Sequence, residues 1–198
     1  MEGADRRREG RIDEAVPKAD AAIERGDILG LKTGQFESRR ARACIAQLRG
    51  DHEAVLDLAA QTEDLLEGTD ESMFPIWWCP TTCRSLIATG KLDEAEQRLE
   101  TTLEAAQRAG MPHWEGMALM VRGQLHVAQG NEKAALGDFD AAIEIFETLG
   151  SRLELARTLV VRAGLGANRA DDIRMANELF EACGVSSAPH PSFSADAT

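Results

Sequence analysis

Gly50-Asp51-His52-Glu53-Ala54, Gly90-Lys91-Leu92-Asp93-Glu94-Ala95 and Gly130-Asn131-Glu132-Lys133-Ala134-Ala135 are three versions of one phrase, and Gly10-Arg11-Ile12-Asp13-Glu14-Ala15 is a fourth. Their opening glycines stand forty residues apart. A fixed period of roughly 20 to 50 residues marks stacked units, each too small to bury its own apolar face. Architecture is therefore better determined here than function.

An amphipathic stretch lies ahead of each glycine and another follows it. In 132–148, Ala135, Leu136, Phe139, Ala142, Ile143 and Phe146 recur at three- and four-residue steps, a stripe along one helix face. In 92–108 the stripe runs through Leu92, Ala95, Leu99, Thr102, Leu103 and Ala106. The intervening glycine supplies the positive φ of a tight helix–helix turn. Acidic residues just beyond it (Asp13, Glu53, Asp93, Glu132) complement the positive end of the next helix dipole.

A second landmark keeps the same register. Gly110 and Gly150 close the second helices, and Met120-Val121-Arg122-Gly123 matches Val160-Val161-Arg162-Ala163 at an offset of forty. Near the end the period contracts. Ala142-Ile143-Glu144-Ile145-Phe146 resembles Ala176-Asn177-Glu178-Leu179-Phe180 at an offset of 34, so six residues are missing from the last inter-helix turn or its flanks. The pattern predicts an entering helix at about 11–25 and pairs at 35–48/52–66, 75–88/92–108, 114–128/132–148 and 152–165/170–182. Repeats then lie near 1–33, 34–73, 74–113, 114–150 and 151–184, with 185–198 expected as a disordered tail. Residues 1–9 are expected to be too short and too charged to add a helix of their own. The opening repeat is then incomplete, and its exposed end is a candidate homodimer contact.

Composition agrees with an all-α fold. Of 198 residues, 43% are hydrophobic but only 5% aromatic, and there is no Tyr. Ala, Leu, Glu and Arg dominate, which favours helix over strand. The net charge of −12 argues against nucleic acid and anionic membranes as partners. The short cluster Arg6-Arg7-Arg8 with Arg11 reads as a solvated face. No stretch approaches the roughly 18 apolar residues that span a bilayer, and the N-terminus has no signal-peptide apolar core. A cytoplasmic location is expected, with Cys44, Cys79, Cys83 and Cys183 as reduced thiols.

A helix–turn–helix unit with a small residue seven before the glycine (Ala43, Cys83, Gly123) and Ala15, Val55, Ala95 or Ala135 five after it resembles the tetratricopeptide repeat. The position nine after the glycine, usually large, holds Ala59, Leu99 and Phe139. The chain departs from the commonest pattern in its period of 40, and Ala46, Leu86 and His126 stand where tyrosine is usual. Phrases such as AIEIFETLGSRLELARTLVVRA are similar to the subtype in large bacterial ATP-dependent activators related to the maltose-regulon activator, and in ATPase-linked cyclases and kinases. The resemblance covers about 10–184 and implies a right-handed α-α superhelix of about four helical hairpins plus the entering helix. In the subtype the repeats form an arm beside a nucleotide-binding domain and an output domain. This sequence has no phosphate loop of the Gly-x-x-x-x-Gly-Lys-Ser/Thr kind and no DNA-binding helix–turn–helix after residue 184.

Chemistry is thin. Cys79 and Cys83 lie four apart and could offer two thiolates to a metal, but no His or acidic pair has matching spacing. Packing is the better reading, since buried free Cys acts as a small hydrophobe. His52, His113, His126 and His190 are scattered, and no nucleophile, base and orienting group can be placed together. Neither an enzyme nor a cofactor is expected. The resemblance instead implies a concave groove lined by the first helix of each pair. Registered on the glycines, it would carry Glu37, Arg40, Cys44 and Gln47, then Trp77 and Arg84, then Met117, Met120 and Gln124, then Arg157. Trp, Arg and Met dominate interface energetics. One of Trp77 and Trp78 is expected to be exposed, because adjacent residues point about 100° apart on a helix. The expected function is a protein- or peptide-binding scaffold; the alternative is a sensor arm of an ATP-dependent regulator.

Overall fold

The computed structural model describes residues 2–66, 73–166 and 169–185, with residues 2–11 and 74 described by backbone alone. Among them are nine α-helices and no strand: α1 (Glu2–Leu29), α2 (Lys32–Leu48), α3 (His52–Leu66), α4 (Phe74–Ala88), α5 (Leu92–Arg108), α6 (Pro112–Ala128), α7 (Glu132–Leu149), α8 (Arg152–Ala163) and α9 (Arg169–Ala182). The all-α class expected from the sequence is the class observed. The expected tail falls almost wholly outside the described residues.

One turn is used again and again. Gly50, Gly90 and Gly130 have φ of 73°, 75° and 75°. That left-handed residue lets the next amide donate back to the helix it ends: Asp51 N to Ala46 O at 3.0 Å, Lys91 N to Leu86 O at 2.9 Å, Asn131 N to His126 O at 2.8 Å. Gly110 and Gly150 close the second helices in the same way, through Met111 N to Ala106 O and Ser151 N to Phe146 O, both at 2.9 Å. A β-carbon at these positions would be strained, which is why glycine returns.

The opening repeat differs from expectation. α1 begins at Glu2, well before residue 11, and Gly10 lies inside it. The left-handed residue is Gly30, φ 64°, the earlier member of the Gly110 and Gly150 series. Ala, Arg and Glu favour helix, and extending a helix already anchored by packing needs no new nucleus. From Asp13 onward the exposed positions of α1 mix charged residues with apolar ones: Pro17, Ala21 and Ala22 are exposed, and so are Ile28 and Leu29 at its C-terminal end. The side chains of Arg6, Arg7, Arg8 and Arg11 lie outside the described residues.

The last repeat keeps its turn chemistry and shortens its helices. Gly150 and Gly184, 34 residues apart, have φ of 66° and 69°. α8 has 12 residues where α6 has 17, and α9 has 14 where α7 has 18. The missing residues come from the helices on either side of the turn.

The chain divides into two compact units, 1–95 and 96–198. In the first, α2 packs between α1 and α3, and α4 packs on α3 and α2. Its core is Phe36, Ala43 and Ala46 of α2, Val55 and Ala59 of α3, and Trp78 of α4. α1 reaches α2 most closely at Gly26, where a β-carbon would stand 3.2 Å from the Gln35 nitrogen. In the second unit α6 pairs with α7, α8 with α9, and α8 packs on α7 and α6. The expected stripe of α7 is buried there, Leu136 excepted, which is half-buried. Gly123 of α6 lies on Phe139 of α7, and an added β-carbon would come within 2.5 Å of the ring.

Gly123→Ala should therefore cost about 1–3 kcal/mol of stability by overpacking. Gly137→Ala, at an exposed helical site with nothing within 4 Å, should raise stability by up to about 1 kcal/mol. Thermal unfolding of the two variants checks the contrast.

Candidate partner-binding surface

In the first unit the expected residues fall on one face of α2 and one of α4. Glu37, Arg40, Cys44 and Gln47, spaced at helical steps, are all half-buried. Arg40 donates to Glu37 Oε2 through both Nε (3.1 Å) and Nη2 (2.7 Å), which fixes two side chains that would otherwise wander. Gln47 Nε2 donates to the Thr81 carbonyl at 2.9 Å and ties α2 to α4. Trp77 and Arg84, two turns apart on α4, are half-buried.

Neither tryptophan is fully exposed. Trp78 is buried, and its Nε1 has no hydrogen-bond partner among the described residues. Trp77 keeps part of its surface open and sets an edge against Phe36, ring centroids 6.0 Å apart; Trp78 does the same at 5.9 Å. Phe36 thus holds both indoles, which is why the outward one is only half free.

In the second unit, two expected residues are corrected. Met120 is 1% exposed and Gln124 is 7% exposed, so both belong to the packing and not to an open wall. Met120 sits under α8, where Thr158 donates to its sulfur at 3.2 Å and to the Glu154 carbonyl at 2.8 Å. The first helices of neighbouring pairs approach closely here, and a residue three beyond Met117 turns into the contact. Met117 itself is half-buried, and Arg157 is exposed beside Glu154 at 3.5 Å.

A set of ion pairs went unread in the sequence. Arg122 grips Asp138 with two bonds, 2.9 and 2.6 Å, and His126 Nε2 lies 3.5 Å from the same carboxylate. Arg162 grips Asp172 likewise at 2.9 and 2.6 Å, and reaches Asp140 at 2.5 Å. These pairs join the two helices of each hairpin, 16 residues apart in the first case and 10 in the second. The difference of six places the contraction between Arg162 and Asp172. The hydrogen bonds that Arg122 donates to Asp138 raise its pKa against the opposing effect of burial. Those that Arg162 donates to Asp172 do the same for it. In the first unit α1 is clamped to α2 by Asp13–Arg49, Asp20–Arg42 at 2.8 Å and Asp27–Arg39 at 2.9 Å. The match of Arg122 with Arg162 carries the signal in the sequence, since it repeats a charge as well as a register.

Chemistry remains sparse. Cys79 and Cys83 are buried with sulfurs 3.4 Å apart, and Cys83 Sγ lies 3.8 Å from the Ala95 carbonyl. Among the described residues no group of three or more His, Cys, Asp or Glu could hold a metal ion. Nor is any described helix long and apolar enough to cross a membrane.

Comparison with known proteins agrees with this geometry. The tetratricopeptide-repeat family model matches residues 83–148, from mid-α4 through most of α7. Among solved structures, BtubC (BKLC) from P. vanneervenii is similar at a TM-score of 0.63, with 14% identity over 86% of this chain and 71% of that one. At that identity the likeness shows the fold alone. No curated protein matches. The first similarity places a tetratricopeptide-like stretch in the middle of the chain, and the second agrees with an all-α helical-repeat fold.

Asp172→Ala should cost roughly 2–4 kcal/mol in thermal unfolding, because it strands a largely buried guanidinium that retains only Asp140. Acid should loosen α1. The hydrogen bond from Arg39 holds the Asp27 carboxyl below its ordinary 3.8, outweighing desolvation. A depressed carboxylate stabilises the fold above its unfolded pKa, and that contribution fades as pH falls through the lowered folded value. Amide exchange in α1, followed between pH 5 and 3, should rise in the wild type and change less in Asp27→Asn.

Proposed function

We propose that the chain is a non-catalytic scaffold that binds a protein or peptide on the first helices of its pairs. The observation that carries this reading is the α2–α4 face of the first unit. A half-open Trp77, Arg84 and a pre-ordered Glu37–Arg40 pair share it, braced by the Gln47–Thr81 bond. An indole that is partly packed and partly open offers apolar area at small entropic cost, and held charges select the ligand's polarity. In the second unit Met117 and Arg157 supply a smaller apolar and basic element.

The tetratricopeptide similarity supports a protein ligand, since such repeats generally act in protein interaction. Net charge of −12 favours a ligand with basic residues over nucleic acid. Homodimerisation through the opening repeat is a further part of the reading, with the exposed Ile28 and Leu29 at the end of α1 as its apolar element. We place the protein in the cytoplasm, where its free thiols stay reduced. A sensor arm of an ATP-dependent regulator is the second reading, favoured by the forty-residue spacing of its turns.

A peptide ligand selected from a random library on the whole chain tests the first reading. Trp77→Ala and Arg84→Ala should each weaken that ligand at least tenfold by calorimetry, with the helical circular dichroism retained. Affinity unchanged in both would remove the α2–α4 face.

A further inference from the structure

Two of the ion pairs share a spacing that the repeats themselves repeat. Asp20 of α1 meets Arg42 of α2 at 2.8 Å, and Asp140 of α7 meets Arg162 of α8 at 2.5 Å. Both partners are 22 residues apart, and both join the second helix of one pair to the first helix of the next. Asp20 and Asp140 stand ten after Gly10 and Gly130; Arg42 stands eight before Gly50, and Arg162 holds the same place in the contracted last repeat, forty beyond Arg122. The register places two further pairs at these positions, Ala60 with Thr82 and Glu100 with Arg122. The Glu100 charge acts on Arg122 in the expected sense. Ala60 and Thr82 are both neutral, and Thr82 is buried.

At all four stacking contacts, then, the two positions are either oppositely charged or both uncharged. No contact mixes the two kinds. The arginine side chains are largely enclosed, 19% exposed at Arg42 and 17% at Arg162. An arginine stacked on a neighbour like α3, with Ala60 at the position, would be enclosed without its carboxylate. A carboxylate beside Thr82 would lose its cation. Either mismatch leaves a partly desolvated charge unpaired, which costs far more than the matched pair gains.

We propose that these two positions form a two-letter charge code for hairpin order, each stacking contact accepting a neighbour of its own kind, charged or neutral, and rejecting the other kind. Repeats built on one phrase share their apolar stripes, so burial alone distinguishes their order poorly. A matched polar position supplies the discrimination by penalising wrong neighbours. The second pairing of Arg122 with Asp138 and Arg162 with Asp172 lies within a hairpin and does not depend on order.

The Asp20–Arg42 contact tests the code, because Arg42 has there its one ion pair among the described residues. Asp20→Ala strands Arg42, while Asp20→Ala with Arg42→Thr installs the neutral pair already present at 60 and 82. The code expects the single variant to lose about 2–4 °C in Tm and amide protection in α1, and the double variant to recover at least half of both. Reversal should behave alike: Asp20→Arg loses stability and Asp20→Arg with Arg42→Asp regains it. A double variant no more stable than its single parent, in either series, overturns the proposal, as does a single variant indistinguishable from wild type. Amide exchange in α9 serves as the control and should not change.

Discussion

The closest approach of the two helices in each pair is the constraint on which the remaining structure depends. At Gly123 the α6 backbone comes so near Phe139 that no β-carbon fits without moving the ring. Phe139 is fully buried there, and the stripe behind it (Ala142, Ile143, Phe146) follows α6 down its length. The equivalent positions Ala43 and Cys83 are fully buried too. Small residues at this point let apolar side chains from the partner helix fill the space between backbones, which dispersion and burial both favour. The small residue at this position has a steric origin, and it explains why Cys83 acts as a packing residue.

Once the pairs are formed, their sides must meet polar demands. Bidentate Arg–Asp pairs join the helices of two hairpins, and α1 is held to α2 by three further pairs. Exposed ion pairs contribute little, whereas Asp138 and Asp172 are nearly enclosed and unforgiving of a lost partner. The acidic composition is thus a set of specific contacts on some faces and a solvated surface on others. The α2–α4 face has a different character, with an aromatic edge, a held Arg–Glu pair and one cross-helix amide bond.

Much of the fold was legible because its signals are local. Turn glycines need a left-handed backbone whatever surrounds them, so Gly50, Gly90, Gly110, Gly130 and Gly150 could be placed from their period. The apolar stripes of α5 and α7 followed from helix geometry alone. Gly10 misled because its phrase matches the others while its neighbours are good helix formers, and α1 simply runs through it. Gly30, in step with Gly110 and Gly150, carried the correct signal.

The candidate surface was legible only in part. Residues seven apart on α2 and α4 share a face by helical geometry, and they do so here. Met120 and Gln124 satisfied the same spacing and are nonetheless buried, because the approach of α8 decides how much of the α6 face is open. From sequence alone came the all-α class, the pairing of helices, the turn positions and the contraction of the last repeat, all properties of neighbouring residues. Tertiary structure alone decided the length of α1, the partners of Asp138, Asp140 and Asp172, and which of two adjacent indoles stays half open. Those depend on how closely one helix lies against another, a distance set by the whole of both contact faces.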